Sequence, residues 1–340
     1  GGADVGSYLC HHESVATIHI TGSDRTHDAI VYGGGKEGAK RKAERSPSLT
    51  KPITSELGAV TPCLVVPGDW SEKDLAYHAA NVAGMVANNG SFNCNACKVV
   101  VTSSGWRQRE RFLELVHQKL KETPPRRAYY PGAQERYQAF LDHYPDAEPL
   151  SERSGDVVPW TIIPDVEPEH GEYALTNEAF CGVLAETTLD ASDPGDFIEK
   201  AVKFANDDCW GTLSCMMLIA PAEEARYKQA YDKAIADLRY GGIAVNTWAG
   251  MVYGLVSTTW GAYPGHTLED IQSGRGVVHN GLLLDHPQKS VVKAPFRMPV
   301  KHAYFPDHKT LHKLGEALCR FEAAPGWTKI PSIAIHGMRG

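Results

Sequence analysis

The sequence has 340 residues, 42% of them hydrophobic and 22% charged, with a formal net charge of −7. That is a globular composition with length for two domains or one large one, and its mild acidity leaves no electrostatic footprint for nucleic acid or an anionic membrane. No apolar run approaches the roughly 18 residues that a membrane span needs, and the first residues, GGADVGSYLC, lack the basic-then-apolar order of a signal peptide.

In chain order, VATIHIT alternates apolar and polar residues and predicts a strand closing at Gly22-Ser23. The stretch 33–51, GGGKEGAKRKAERSPSLTK, is basic and contains Gly, Ser and Pro, so a solvated loop is expected there. GGGKEG is not a P-loop, because no Gly-Lys-Ser/Thr follows at the required spacing. TPCLVV predicts a short buried strand. SEKDLAYHAANVAGMVANNG predicts a helix with Ser71 as N-cap, Asp74 three residues on, and Leu75, Ala79, Val82 and Val86 on one face. A strand KVVVT, a helix WRQRERFLELVHQKLKE and a break at Pro124-Pro125 follow. Further on, a helix begins at Asp193-Pro194, then come the strand LSCMMLIA, one helix across PAEEARYKQAYDKAIADLRYGG, and the strand IAVNTW. Strands alternating with helices of about 10–20 residues imply an α/β protein with a mostly parallel sheet and flanking helices.

Eight cysteines, at 10, 63, 94, 97, 181, 209, 215 and 319, lie scattered among apolar neighbours, which predicts reduced thiols and a cytoplasmic protein. The fifteen histidines bring no HExxH or paired CxxC, so no metal site is expected. The segment NNGSFNCNACKVV, residues 88–100, holds two of the thiols. A thioredoxin-like pair would open a helix, whereas this one runs into a strand, and two buried small hydrophobes remain the bland alternative. A thiol on a turn can also face a cleft among backbone N–H groups, which lower its pKa and can stabilise an oxyanion. In a parallel sheet such sites are expected at the carboxyl ends of strands.

Two more segments join the cysteine turn. ITSELGAVTP offers the carboxylate of Glu56 on a Gly-containing turn, and NEAFCGVLAE offers Glu178 beside Phe180. With ITGS at 20–23, these resemble the aldehyde dehydrogenase superfamily, and in the family's order. There, FTGS closes a strand of the cofactor domain, ELGG carries the general base, GQxC the nucleophile, and ExFGP a glutamate for the nicotinamide ribose. The ANDxxYGL, GxxxxN and PFGGxxxSGxG motifs resemble Ala205 to Asp207 with Trp210 to Leu213, Gly242 to Asn246, and Trp260 to Ala262 with Ser273 to Gly276. The resemblance covers roughly residues 1 to 296.

The resemblance implies that Cys94 attacks an aldehyde and that Glu56 activates the water that hydrolyses the resulting thioester. It implies that Gly22, Ser23, Glu178 and Phe180 contact NAD or NADP. The nucleophile loop departs from the family: Gly90-Ser91-Phe92-Asn93-Cys94 is one residue longer than GQxC. A gapless match puts Asn93 in the nucleophile slot, but asparagine cannot do the chemistry, and Cys94-Asn95-Ala96 matches CxA. Cys97 is then structural. ELGG reads Glu56-Leu57-Gly58-Ala59, and the last glycine of FTGSxxxG is His27.

By the same resemblance, residues 1–57 form the end of a Rossmann-type cofactor domain and 58–289 the catalytic domain. Residues 290–296 are an oligomerisation strand and 297–340 an extension without a role, in which HKTLHKLGEALCRFEAA predicts an amphipathic helix. Family members carry over two hundred residues before the FTGS strand, and the span alone is expected to be inactive. The implied partners are a small-molecule aldehyde and further copies of the chain, as a homodimer or homotetramer, with no nucleic acid and no membrane. A CoA-acylating enzyme and a non-catalytic oligomerising domain are the alternatives.

Overall fold

The structure, a computed structural model, describes residues 3–340. Its strands are β1 (Ile18–Gly22), β2 (Ile53–Leu57), β3 (Pro62–Val65), β4 (Val99–Ser103), β5 (Arg126–Arg127), β6 (Glu148–Pro149), β7 (Val157–Val158) and β8 (Thr161–Val166). After them come β9 (Val183–Leu189), β10 (Ser214–Leu218), β11 (Gly242–Val245), β12 (Trp260–Gly261), β13 (Gly274–Arg275), β14 (Val277–Val278) and β15 (Ser290–Lys293). Eight form one sheet in the order β15-β11-β10-β3-β4-β9-β8-β6, parallel throughout except at the β6 edge. The expected mostly parallel α/β architecture is present.

The central strands are buried on both faces, which is why PCLV, VVVTS and SCMML read as continuous apolar runs. The period of two still operates inside them. Cys63 and Val65 face one core layer while Leu64 and Val66 face the other. The first layer is covered by α4 (Glu72–Ala87) and by Arg109–Glu122, the second by Pro194–Asp207 and Lys228–Asp237.

Helix α4 begins where expected. The Ser71 hydroxyl accepts from Asp74 N at 3.2 Å and the Asp74 carboxylate accepts from Ser71 N at 3.3 Å, a closed capping box. More than one face of α4 is buried, because residues 296–305 lie along its outer side: the Tyr304 hydroxyl donates to Asn81 at 2.7 Å, and Phe305 packs on Tyr77.

A second, smaller sheet holds β1, β2 and β13. β1 and β2 are parallel with Thr21 opposite Glu56 and Gly22 opposite Leu57, while Gly274–Arg275 return antiparallel to Ser55 and Glu56. Ahead of it lies α1 (Ala3–His11), and α2 (Asp24–Tyr32) follows β1. Among the described residues no helix is long and apolar enough to cross a membrane.

Two expectations need correction. Residues 33–51 are not all loop, since Gly35–Ala43 form α3. Its Glu37–Arg41 pair has helical spacing, Lys42 reaches Asp28 on α2 at 2.6 Å, and Gly38 packs so tightly on Gly33 that no Cβ fits. The single helix expected over 221–242 is two, Pro221–Arg226 and Lys228–Asp237, broken at Tyr227, whose ring packs on Gly195. Within 290–296, the span read as an oligomerisation strand, Ser290–Lys293 form β15, the edge strand that pairs parallel with β11.

Candidate active site

The cysteine turn starts where α4 runs out. Asn89, Gly90 and Ser91 take φ of 51°, 68° and 68°, so three successive residues sit in the left-handed region that only glycine enters freely. Side-chain amides hold this turn: Asn93 Nδ2 donates to Asn88 O at 3.1 Å, and Asn89 Nδ2 to Phe92 O at 3.1 Å. The chain then enters β4, so Cys94 sits at the amino ends of the large sheet's strands rather than at their carboxyl ends. The physical reason is the arrangement of the two sheets. β2 ends at Leu57 and β3 starts at Pro62, so the carboxyl edge of the small sheet faces the amino edge of the large one, and the site lies between.

Glu56 comes from β2 and is 4% exposed. Trp260 Nε1 donates to its Oε1 at 3.0 Å. The partly buried Cys94 thiol lies near the same carboxylate, whose charge acts on it. Burial pushes the Cys94 thiol well above its ordinary pKa, and the Glu56 charge pushes it further. Lys98 opposes them, and Glu178 adds to the rise. The expectation of a lowered thiol pKa is therefore corrected: the turn is buried and faces two carboxylates, and backbone donors do not outweigh them.

Glu178 lies in the segment entering β9. Its carboxylate ion-pairs with Lys98 Nζ at 3.0 Å and lies near the Ala59 N–H. Burial raises its pKa, with Lys98, the Ala59 N–H and Arg136 working the other way. Gly58 makes this seat possible, since a Cβ there would lie 1.8 Å from Glu178 Oε2. Phe180 has φ 42° and is held by Arg136, which donates to the carbonyls of Ala179 at 3.2 Å and Phe180 at 3.3 Å. Its ring lies 5.8 Å from that of Phe92 in the cysteine turn and 4.9 Å from that of Tyr130. Phe180 and the cysteine turn are thus packed through one aromatic group.

Gly22 ends β1 beside Leu57, and Ser23 is the N-cap of α2, accepting from Thr26 N at 3.1 Å. Both leave the small sheet on the edge that carries Glu56. His27, one turn into α2, is fully buried with no protein partner for Nε2, and burial lowers its pKa. Cys97 is fully buried in the apolar layer, as its structural assignment requires.

Sequence reasoning missed three groups that complete the site. Thr61 Oγ1 donates to Cys94 O at 3.3 Å, Trp248 Nε1 to Asn95 O at 2.7 Å, and Lys98 is buried against the turn with its side chain 2% exposed. Only Lys98 leaves a local signal: a lone cation opening the buried run VVVTS must find acceptors at once.

Comparison with known proteins bears on family and fold. Residues 1–256 match the aldehyde dehydrogenase family. The chain is 32% identical over 127 residues to 4-trimethylaminobutyraldehyde dehydrogenase A of Danio rerio, covering 36% of this chain and 20% of that protein. The Mus musculus 4-trimethylaminobutyraldehyde dehydrogenase is 32% identical over 126 residues, covering 36% and 21%. Among solved structures, gamma-glutamyl-gamma-aminobutyraldehyde dehydrogenase from Burkholderia cenocepacia aligns with a TM-score of 0.64 at 20% identity, over 83% of this chain and 53% of that one. An NADP complex of NADP-dependent glyceraldehyde-3-phosphate dehydrogenase from Bacillus halodurans aligns at 0.61 and 18%, over 82% and 52%. The match thus spans a fifth of those curated relatives and about half of those structures.

Proposed function

The chain belongs to the aldehyde dehydrogenase family, and on that footing we propose that it carries the catalytic residues of a nicotinamide-dependent enzyme oxidising a small aldehyde to its acid. The observation that supports this most is the convergence on the cysteine turn of the buried Glu56 carboxylate, whose charge acts on the Cys94 thiol, and of Glu178 and Phe180.

In this reading Cys94 rests as a thiol, releases its proton to solvent, and attacks the aldehyde carbon as the thiolate. The resulting thiohemiacetal loses hydride and becomes a thioester on Cys94. Glu56 then removes a proton from the water that attacks the thioester, and sulfur leaves as a good leaving group. A thioester released to CoA would need no base at this position. Trp260, which orients the Glu56 carboxylate by its hydrogen bond, supports the hydrolytic reading.

The residues present fit a dinucleotide. Gly22-Ser23 form a strand-to-helix turn that opens α2, whose first N–H groups suit a phosphate. The orphaned Nε2 of His27 is buried in the same helix, and Glu178 and Phe180 stand on the side of Cys94 where a nicotinamide ribose and ring would rest. When bound, NAD or NADP supplies the hydride acceptor. The proposal extends to a cytoplasmic homodimer or homotetramer acting on a small-molecule aldehyde.

The test is a pair of substitutions in the full-length protein. Cys94→Ala should abolish aldehyde oxidation, whereas Cys97→Ala should keep most of it. Full turnover with Cys94→Ala, or equal loss in both, would remove the assignment.

A further inference from the structure

Lys98 opens β4, yet its side chain turns back beneath the cysteine turn. Its Nζ donates to the backbone carbonyls of Asn93 at 3.2 Å, Cys94 at 3.1 Å and Ala96 at 3.3 Å. Its remaining contact is the ion pair with Glu178 Oε1 at 3.0 Å. Three carbonyls within four residues converge on one buried ammonium, and the carbonyl of Cys94 accepts from Thr61 as well.

We infer that Lys98 is a positioning residue for the nucleophile, fixing the Asn93–Ala96 backbone through its carbonyls and, through the same ammonium, seating the Glu178 carboxylate. The inference rests on the reading of Cys94 as the nucleophile. Charge-assisted hydrogen bonds inside a protein are stronger than neutral ones, and breaking them would leave a buried cation without acceptors. A peptide flip at Cys94, which would carry the thiol away from Glu56, must therefore break a bond to Lys98. Glu178 cannot leave its seat without removing the counterion of that same ammonium. The thiol and the proposed ribose-side carboxylate are thus mechanically coupled through one side chain.

The coupling has an electrostatic consequence that a purely structural lysine would not have. The charged groups facing the thiol are Glu56 from β2, Glu178 from the segment before β9, and Lys98, so Lys98 alone favours the thiolate. Removing it leaves two carboxylates that oppose ionisation.

The experiment follows iodoacetamide alkylation of Cys94 against pH on the folded 340-residue chain, reading the Cys94 peptide by mass spectrometry, and needs no cofactor. Lys98→Met should move the alkylation profile to higher pH. Below the midpoint the reaction slows by about tenfold for every pH unit that the profile moves, and Lys98→Arg should restore most of the rate. Should Lys98→Met fail to fold, Lys98→Met with Glu178→Gln removes both members of the pair and is compared with Glu178→Gln alone, with the same upward movement expected. Profiles that coincide within either comparison would overturn the role of Lys98 while leaving Cys94 as nucleophile. Turnover surviving Cys94→Ala in the full-length protein would instead overturn the underlying reading.

Discussion

The indole N–H of Trp260 donates to Glu56 Oε1 at 3.0 Å across 204 residues of sequence, and both side chains are buried. A buried carboxylate needs such donors, and this one fixes the orientation of the Glu56 carboxylate. In the proposed reading this oriented carboxylate is the base toward the water that attacks the thioester.

That role makes Glu56→Gln informative in the full-length protein. A positioned base is worth about 10²- to 10⁴-fold, and the amide cannot take a proton from water. We expect a burst of reduced cofactor near one equivalent per site, followed by steady turnover slowed by about that factor, with a thioester on Cys94 visible as an added acyl mass. Steady-state hydrolysis unchanged from the unsubstituted protein would mean that another group is the base.

The parts of this site that are local in sequence were legible there. The Ser71 cap, the buried strand before it and the Cys94 turn are set by neighbours within a few residues. The α3 helix was not, because glycines at 33, 34, 35 and 38 suggest a loop while the ion pairs that stabilise it are weak signals. β8 was hidden by Pro164 and Asp165, where the pairing with β9 shifts register and Asp165 takes φ 49°. The contacts that build the site, Trp260 to Glu56, Trp248 to Asn95 and Lys98 to Glu178, join residues 80 to 204 positions apart. Such pairs depend on the tertiary fold, and no local pattern encodes them. The seating of Tyr304 against Asn81 belongs to the same class, and it makes the beginning of the 297–340 extension part of the hydrophobic layer around α4.

Gly58→Ala tests whether the Glu178 seat is as tight as it looks. The new methyl would meet Glu178 Oε2 at 1.8 Å, so the carboxylate must move off Lys98 and the Ala59 N–H. Overpacking of this kind costs about 1–3 kcal/mol. Urea unfolding should show that loss in Gly58→Ala and show most of it gone when Glu178→Ala is also present, since the obstacle is then removed. Strictly additive losses would mean that the methyl clashes elsewhere.

The acid stability of the fold should report on His78, which sits on α4 with no exposed surface, packed between Trp70, Tyr77 and Phe296. Burial lowers its pKa to about 3, against smaller upward pulls from the Phe296 backbone and the Asp74 charge. A neutral imidazole is therefore favoured in the folded state, while the unfolded chain titrates near 6.5. The folded pKa is the lower one, so the contribution is complete above pH 6.5 and is lost as pH falls from 6.5 toward 3. The slope over that window is about 1.4 kcal/mol per pH unit. In His78→Leu the slope disappears, because leucine binds no proton in either state. Unfolding free energies measured in urea at pH 7, 5.5 and 4 should fall more steeply for the unsubstituted chain, by roughly 3 kcal/mol between pH 7 and 4. Contributions common to both proteins cancel in the difference. Parallel curves would show that His78 becomes charged without unfolding α4, and that Phe296 does not seal it from water.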